Sequence, residues 1–221
     1  DGFSTMLLEL DHLNPQQRAA VSHAEGSLLV LAGAGSGKTR VITYRIARLI
    51  RDGLSPHEIL GLSFTNKAAR EMKERVIALV GKAGHKVKLS TFHSLGLTIL
   101  REECQTVGLH DGFTILDEGD QTAAMKDLMK QAGYDTSQID PSLVLNRISN
   151  SKSRLKAPTV GLSHADDVAA RLSGLYAQRL RAMNAVDFDD LIALPVWILK
   201  KSPESAHRWS TRFREILVDE Y

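Results

Sequence analysis

The sequence predicts an α/β fold in which a parallel sheet carries a phosphate-binding loop and a long helical segment interrupts the chain. Three observations predict it. A short apolar run at residues 28–31 breaks into Ala32-Gly33-Ala34-Gly35-Ser36-Gly37-Lys38-Thr39, and a helical pattern starts at once behind it. Two more apolar runs, at 59–64 and 87–91, lead into helical patterns through Thr65-Asn66 and Phe92-His93-Ser94. Helical periodicity then dominates from about 97 to 185, before a last apolar run at 215–218 ends in Asp219-Glu220.

In chain order, Asn14 and Pro15 open the first helix as N-cap and first helical residue. Residues 28–31 follow as a buried central strand of a parallel sheet. The glycines after it let backbone N–H groups curl round a polyphosphate, and the next helix adds the partial positive charge of its N-terminus. Lys38 is placed to reach the β- and γ-phosphates, and the Thr39 hydroxyl to ligate Mg²⁺. The strict pattern begins with glycine where this chain has Ala32, a sterically mild variant. A glycine-rich turn that binds nothing is the alternative, and the flanking strand and helix argue against it.

The second strand runs into a helix with Met72, Val76, Leu79 and Val80 on its inner side and Lys67, Arg70, Lys73 and Arg75 crowded on it. Glu71 and Glu74 offer those cations partners at helical spacing, so a solvated face accounts for the helix body as well as a polyanion contact does. Thr65 and Asn66 differ, because open α/β sheets place ligands at the C-terminal ends of their strands. Phe92 and His93 repeat that placement after the third strand, and two such loops in succession suggest a surface that stacks bases and holds phosphates.

The segment from 98 to 186 reads as a separate helical domain inserted into the α/β one, with 113–116 its one plausible short strand. Its basic run Lys152, Arg154, Lys156 reads as a solvated loop ahead of a nucleic-acid contact. Asp187, Asp189 and Asp190 project in different directions from a helix start and favour its dipole, so they are not assigned as metal ligands. Asp219 and Glu220, at a strand end, form the partner motif of a phosphate loop: Asp219 for Mg²⁺, Glu220 for the attacking water.

Composition sets bounds on these readings. The chain has 221 residues, 43% hydrophobic and 24% charged, as in an ordinary soluble globular protein. No apolar run approaches the ~20 residues of a membrane span, and no secretory signal is visible, so a cytoplasmic protein is expected. The single cysteine, Cys104, excludes an internal disulfide and is expected in the core. Net charge is +2, with the positive excess in residues 1–97, which permits a polyanion partner.

Together these strings resemble the N-terminal part of the UvrD/Rep/PcrA-type superfamily 1 DNA helicases, over essentially the whole chain. Leu13-Asn14-x-x-Gln17 resembles the Q motif, the run from Ala32 to Arg40 the Walker A motif, and Leu217-Val218-Asp219-Glu220-Tyr221 the start of Walker B. The strings at 64–70, 91–94 and 187–191 resemble motifs that contact single-stranded DNA. The resemblance implies a RecA-like ATP-binding domain formed by 1–97 and 187–221, with 98–186 inserted. It implies ATP and Mg²⁺ as cofactors, with Gln17 on adenine and Arg40 beside the nucleotide. It implies Phe64, Thr65, Asn66, Phe92, His93 and Phe188 along a single-stranded DNA path, with the inserted domain at the duplex junction. Translocation would run 3′ to 5′, in repair or replication.

The resemblance further implies a second RecA-like domain beyond Tyr221 that supplies arginines to the γ-phosphate, so the chain is expected to be a fragment with feeble hydrolysis of its own. Two other readings stay open. One is an ATP- and single-strand-binding module inactive on its own. The other is an unrelated phosphate-loop enzyme, such as a small-molecule kinase with a helical lid.

Overall fold

The computed structural model describes residues 10–24, 26–33, 35–156 and 163–220. The chain is mixed helix and sheet, and it packs into two compact units, Asp1–Phe92 with His207–Tyr221 and His93–Ala206.

The first unit is built on a three-stranded parallel sheet in the order β2-β1-β5, where β1 is Ile59–Ser63, β2 Lys88–Thr91 and β5 Glu215–Val218. Every residue of β1 is buried, as the middle position requires. Helices α2 (Lys38–Arg51) and α3 (Asn66–Val80) supply Ile46, Met72 and Val76 to the core formed with Ile59, Val87 and Leu217. Thr65 caps α3 by accepting from the Ala68 N–H at 3.1 Å, and Gly81, at a φ of 61°, ends it. The first helix, α1 (Pro15–Ser22), carries the expected cap at Asn14. Its C-terminal carbonyls are taken by arginines of α2: Arg45 donates to Ala20 and His23, and Arg48 to Val21.

One expected element is corrected. Residues 28–31 form no ladder among the described residues, and Leu29 and Leu31 are 65% and 86% exposed. Apolar composition suits a run to a buried strand but does not supply a partner. A parallel strand is held only by its neighbour's ladder, and among the described residues β5 pairs with β1 alone.

In the second unit α4 (Phe92–Glu103), whose first residue still belongs to the first unit, is followed by α5 (Glu118–Gln131), α6 (Pro141–Ser153), α7 (His164–Ala182) and α8 (Asp190–Lys201). Helices α5, α6 and α7 share a core of Met125, Met129, Val144, Ile148, Leu172 and Tyr176. A second core joins α4 to α8 through Leu100, Leu191 and Ile198, with Cys104 buried among them. The short strand expected near 113–116 is β3 (Thr114–Ile115), paired in parallel with β4 (Ala185–Val186). A helix that periodicity did not suggest, α9 (Pro203–Arg212), crosses the boundary between the units. Its signal is present in Ser202-Pro203-Glu204, a cap residue, proline and acid in succession.

Candidate functional site

At the C-terminal end of the first unit's sheet, the loop before α2 faces the residues after β5. The backbone N–H of Asp219 extends the β1 ladder by donating to the Leu62 carbonyl at 2.9 Å, which fixes the carboxylate at the sheet edge. Thr39, the second residue of α2, donates its hydroxyl to that carboxylate at 3.2 Å. Burial holds the Asp219 carboxyl above its usual range, opposed first by the Thr39 hydrogen bond, and the neighbouring Glu220 adds to the rise. Glu220 itself is exposed.

Within the loop the Lys38 ammonium donates to the carbonyls of Ala32 and Gly33 at 3.1 and 3.3 Å. Ser36 turns inward, its hydroxyl donating to Gly33 at 2.7 Å. Gly35 and Gly37 have φ of 74° and 85°. Gly37 is needed twice over, because a Cβ there would also lie 2.8 Å from the Gln17 side-chain nitrogen. Gln17 ties α1 to the loop: its Oε1 accepts from the Asn14 N–H at 3.1 Å, completing a capping box, while its Nε2 donates to the Ser36 carbonyl at 2.8 Å. Arg40 is exposed, its guanidinium 5.6 Å above the Tyr44 ring. Ala34 lies outside the described residues.

The aromatic residues fall into two pairs. In the first unit Phe64, which follows β1 and is 62% exposed, stands 5.5 Å from Phe92, which follows β2, with the rings tilted by 53°. Asn66 is exposed beside Phe64 at the start of α3, and Thr65 is occupied as that helix's cap. In the second unit His93 and Phe188 stack face to face, with centroids 4.0 Å apart and planes 16° from parallel. Phe188 is 56% exposed. Burial lowers the His93 pKa, against an opposing pull from Asp189, and so favours the neutral ring.

The profile of the UvrD/REP helicase N-terminal domain matches residues 13–221. The chain belongs to that family. ATP-dependent DNA helicase PcrA of Staphylococcus aureus strain Mu50 is 43% identical over 218 residues, covering 96% of this chain and 30% of the relative. The PcrA of Staphylococcus epidermidis strain RP62A is 40% identical over 215 residues, covering 95% and 30%. The chain thus spans under a third of the length of these relatives.

Two features of this UvrD/REP helicase domain were not legible in the sequence. Lys152, read as part of a solvated basic loop, is half-buried and paired with the carboxylates of Asp187 and Asp190. Lys73, read as a surface cation, donates its ammonium to the carbonyls of His85 and Val87, where burial and Lys88 lower its pKa. Long side chains reach partners far off in sequence, which helical spacing does not reveal.

Proposed function

We propose that these residues are the ATP- and single-strand-binding part of a 3′-to-5′ DNA helicase or translocase, a cytoplasmic protein acting in repair or replication. The observation that carries this reading is the Thr39–Asp219 contact, which brings together two motifs 180 residues apart in sequence. A hydroxyl and a carboxylate meeting 3.2 Å apart suit adjacent positions on Mg²⁺, whose ligands lie at about 2.1 Å from the ion. The ion would supply neutralisation of phosphate charge. Lys38 would exchange its two loop carbonyls for phosphate oxygens, and the N–H groups of Gly35, Ser36 and Gly37 would line the same anion. Gln17, already bonded to the loop, would present its amide edge to adenine, with Arg40 alongside. Glu220 would orient the attacking water.

The exposed ring of Phe64 and the stacked pair of His93 and Phe188 offer flat apolar surfaces suited to bases, with Thr65, Asn66 and Phe92 beside them in sequence. Base–aromatic stacking is worth ~1–3 kcal/mol per base and is indifferent to sequence, which is what a translocase needs. The names of the relatives, ATP-dependent DNA helicases, support the substrate. In this reading residues 1–97 and 187–221 form a RecA-like domain, and the helical stretch 98–186 is an insertion that meets the single-strand/duplex junction. A second RecA-like domain in the parent protein would close the ATP cleft.

The test is the ATPase of the parent protein with and without single-stranded DNA. Hydrolysis should rise steeply with oligo-dT and collapse in Lys38→Ala. Hydrolysis indifferent to DNA would favour the small-molecule kinase reading instead. Since the chain spans 30% of its relatives, we propose that alone it binds nucleotide without appreciable turnover.

A further inference from the structure

The second unit holds an ion cluster that the nucleotide and strand readings leave unused. Lys152, on the last turn of α6, inserts its ammonium between Asp187 and Asp190, donating to Asp187 and, at 2.9 Å, to Asp190. Both carboxylates are almost fully buried, at 3% and 4% exposure. The ammonium also lies 5.5 Å from the centre of the Tyr176 ring, which is wholly buried on α7. Burial pushes the Asp190 carboxyl up, while Lys152 and, more weakly, Arg181 pull it down.

The two aspartates are also bonded reciprocally across the turn that contains Phe188. The Asp190 N–H donates to the Asp187 carboxylate at 2.9 Å, and the Asp187 N–H donates back to Asp190 at 3.3 Å. This closed loop of four residues fixes the backbone on which Phe188 projects, and Phe188 is the ring that stacks on His93. Two charged carboxylates buried one turn apart repel each other, and the Lys152 ammonium between them offsets that repulsion.

We infer that Lys152 is a positioning residue: by neutralising Asp187 and Asp190 it holds the Phe188 turn against His93 and so sets the stacking surface for a base. This rests on the proposed role of Phe188 and His93 in gripping a single strand. It assigns to α6 a part in strand binding that involves no contact with the strand, and it accounts for a lysine committed to an internal pair.

The experiment reads the stack and the strand separately. The ring-current shift of the His93 ε1 proton is followed by NMR in the intact chain, with Phe188→Leu defining the unstacked position. Affinity for fluorescein-labelled oligo-dT is followed by anisotropy. Lys152→Met should move the His93 signal toward the Phe188→Leu position and weaken oligo-dT about tenfold, the loss of one base stack, with nucleotide affinity retained. Lys152→Arg should restore most of both. If Lys152→Met does not fold, Lys152→Gln, whose amide still donates to one carboxylate, is read the same way with a smaller shift. An unmoved His93 signal in a folded variant overturns the positioning role. A moved signal with unchanged oligo-dT affinity upholds the positioning but overturns the strand-gripping role on which the inference rests.

Discussion

Gly96→Ala is the substitution whose outcome is most sharply set by the structure. Gly96 is buried on α4, one turn after His93, and a Cβ built there would lie 1.7 Å from the Leu191 carbonyl oxygen and 2.9 Å from its carbon. The cause lies in α8. Pro195 stands four residues after Leu191 inside that helix and has no N–H to give it, so the Leu191 carbonyl lacks its helical partner. Only a glycine lets α4 approach that carbonyl so closely. Carbon atoms pack at about 3.5–4.0 Å, so an alanine forces one helix to retreat by roughly 1 Å or more. Overpacking of this kind costs about 1–3 kcal/mol, and the upper half applies because the obstructing atoms are backbone. Against this stands a helix-propensity gain of about 1 kcal/mol for replacing glycine by alanine. The clash wins, with a net loss of about 1–2 kcal/mol. For a chain of this size that lowers Tm by about 2–8 °C. Thermal unfolding followed by circular dichroism checks it, and an unchanged or raised Tm would refute the packing argument. Because Leu191 lies one turn after Phe188, the retreat should also loosen the His93–Phe188 stack and weaken oligo-dT binding.

The remaining predictions are smaller. Phe64→Ala removes a largely exposed ring and should raise the Kd for oligo-dT by the loss of one stack, ~1–3 kcal/mol, while nucleotide affinity stays unchanged; equal loss of both in binding titrations would mean a folding defect. Asp219→Asn should move two stabilities in opposite directions. The carboxyl's folded-state pKa is raised, so the stability it contributes is present below its unfolded pKa and lost as pH rises through the folded value. At pH 7 the charge is therefore unfavourable, and this substitution should raise the Tm without nucleotide while reducing the further rise given by Mg·ATP. His93 works the other way: its lowered pKa contributes stability present above the unfolded value of about 6.5 and lost as pH falls through the folded one. His93→Gln should flatten that part of the acid-side loss in a pH series of Tm, and a slope identical to the parent's would exclude the imidazole as its source.

Most helices and the strands around the site were legible because their signals are local. Asn14 and Pro15 open α1, and such a signal acts within one or two turns. The run at 28–31 was not, although it is the most strand-like stretch in composition, because a strand exists only where a neighbour completes its ladder. The candidate site divides along the same line. Lys38 and Thr39 announce themselves through the glycine spacing. That Gln17 bonds the loop at Ser36, or that Lys152 lies between two aspartates, depends on side chains meeting across 19 and 35 residues.

What the sequence determined by itself is the set of local chemistries: a phosphate-type loop, acids at a strand end and aromatic residues at strand-to-helix junctions. These follow from backbone freedom, capping and periodicity, all short-range. The tertiary structure alone decided which of them meet. The sheet order β2-β1-β5 carries Asp219 to Thr39, the packing of α4 on α8 brings Gly96 against the Leu191 carbonyl, and the fold places Lys152 between the buried Asp187 and Asp190. Each of those outcomes depends on groups far apart along the chain being packed together, and such packing is a property of the whole folded molecule.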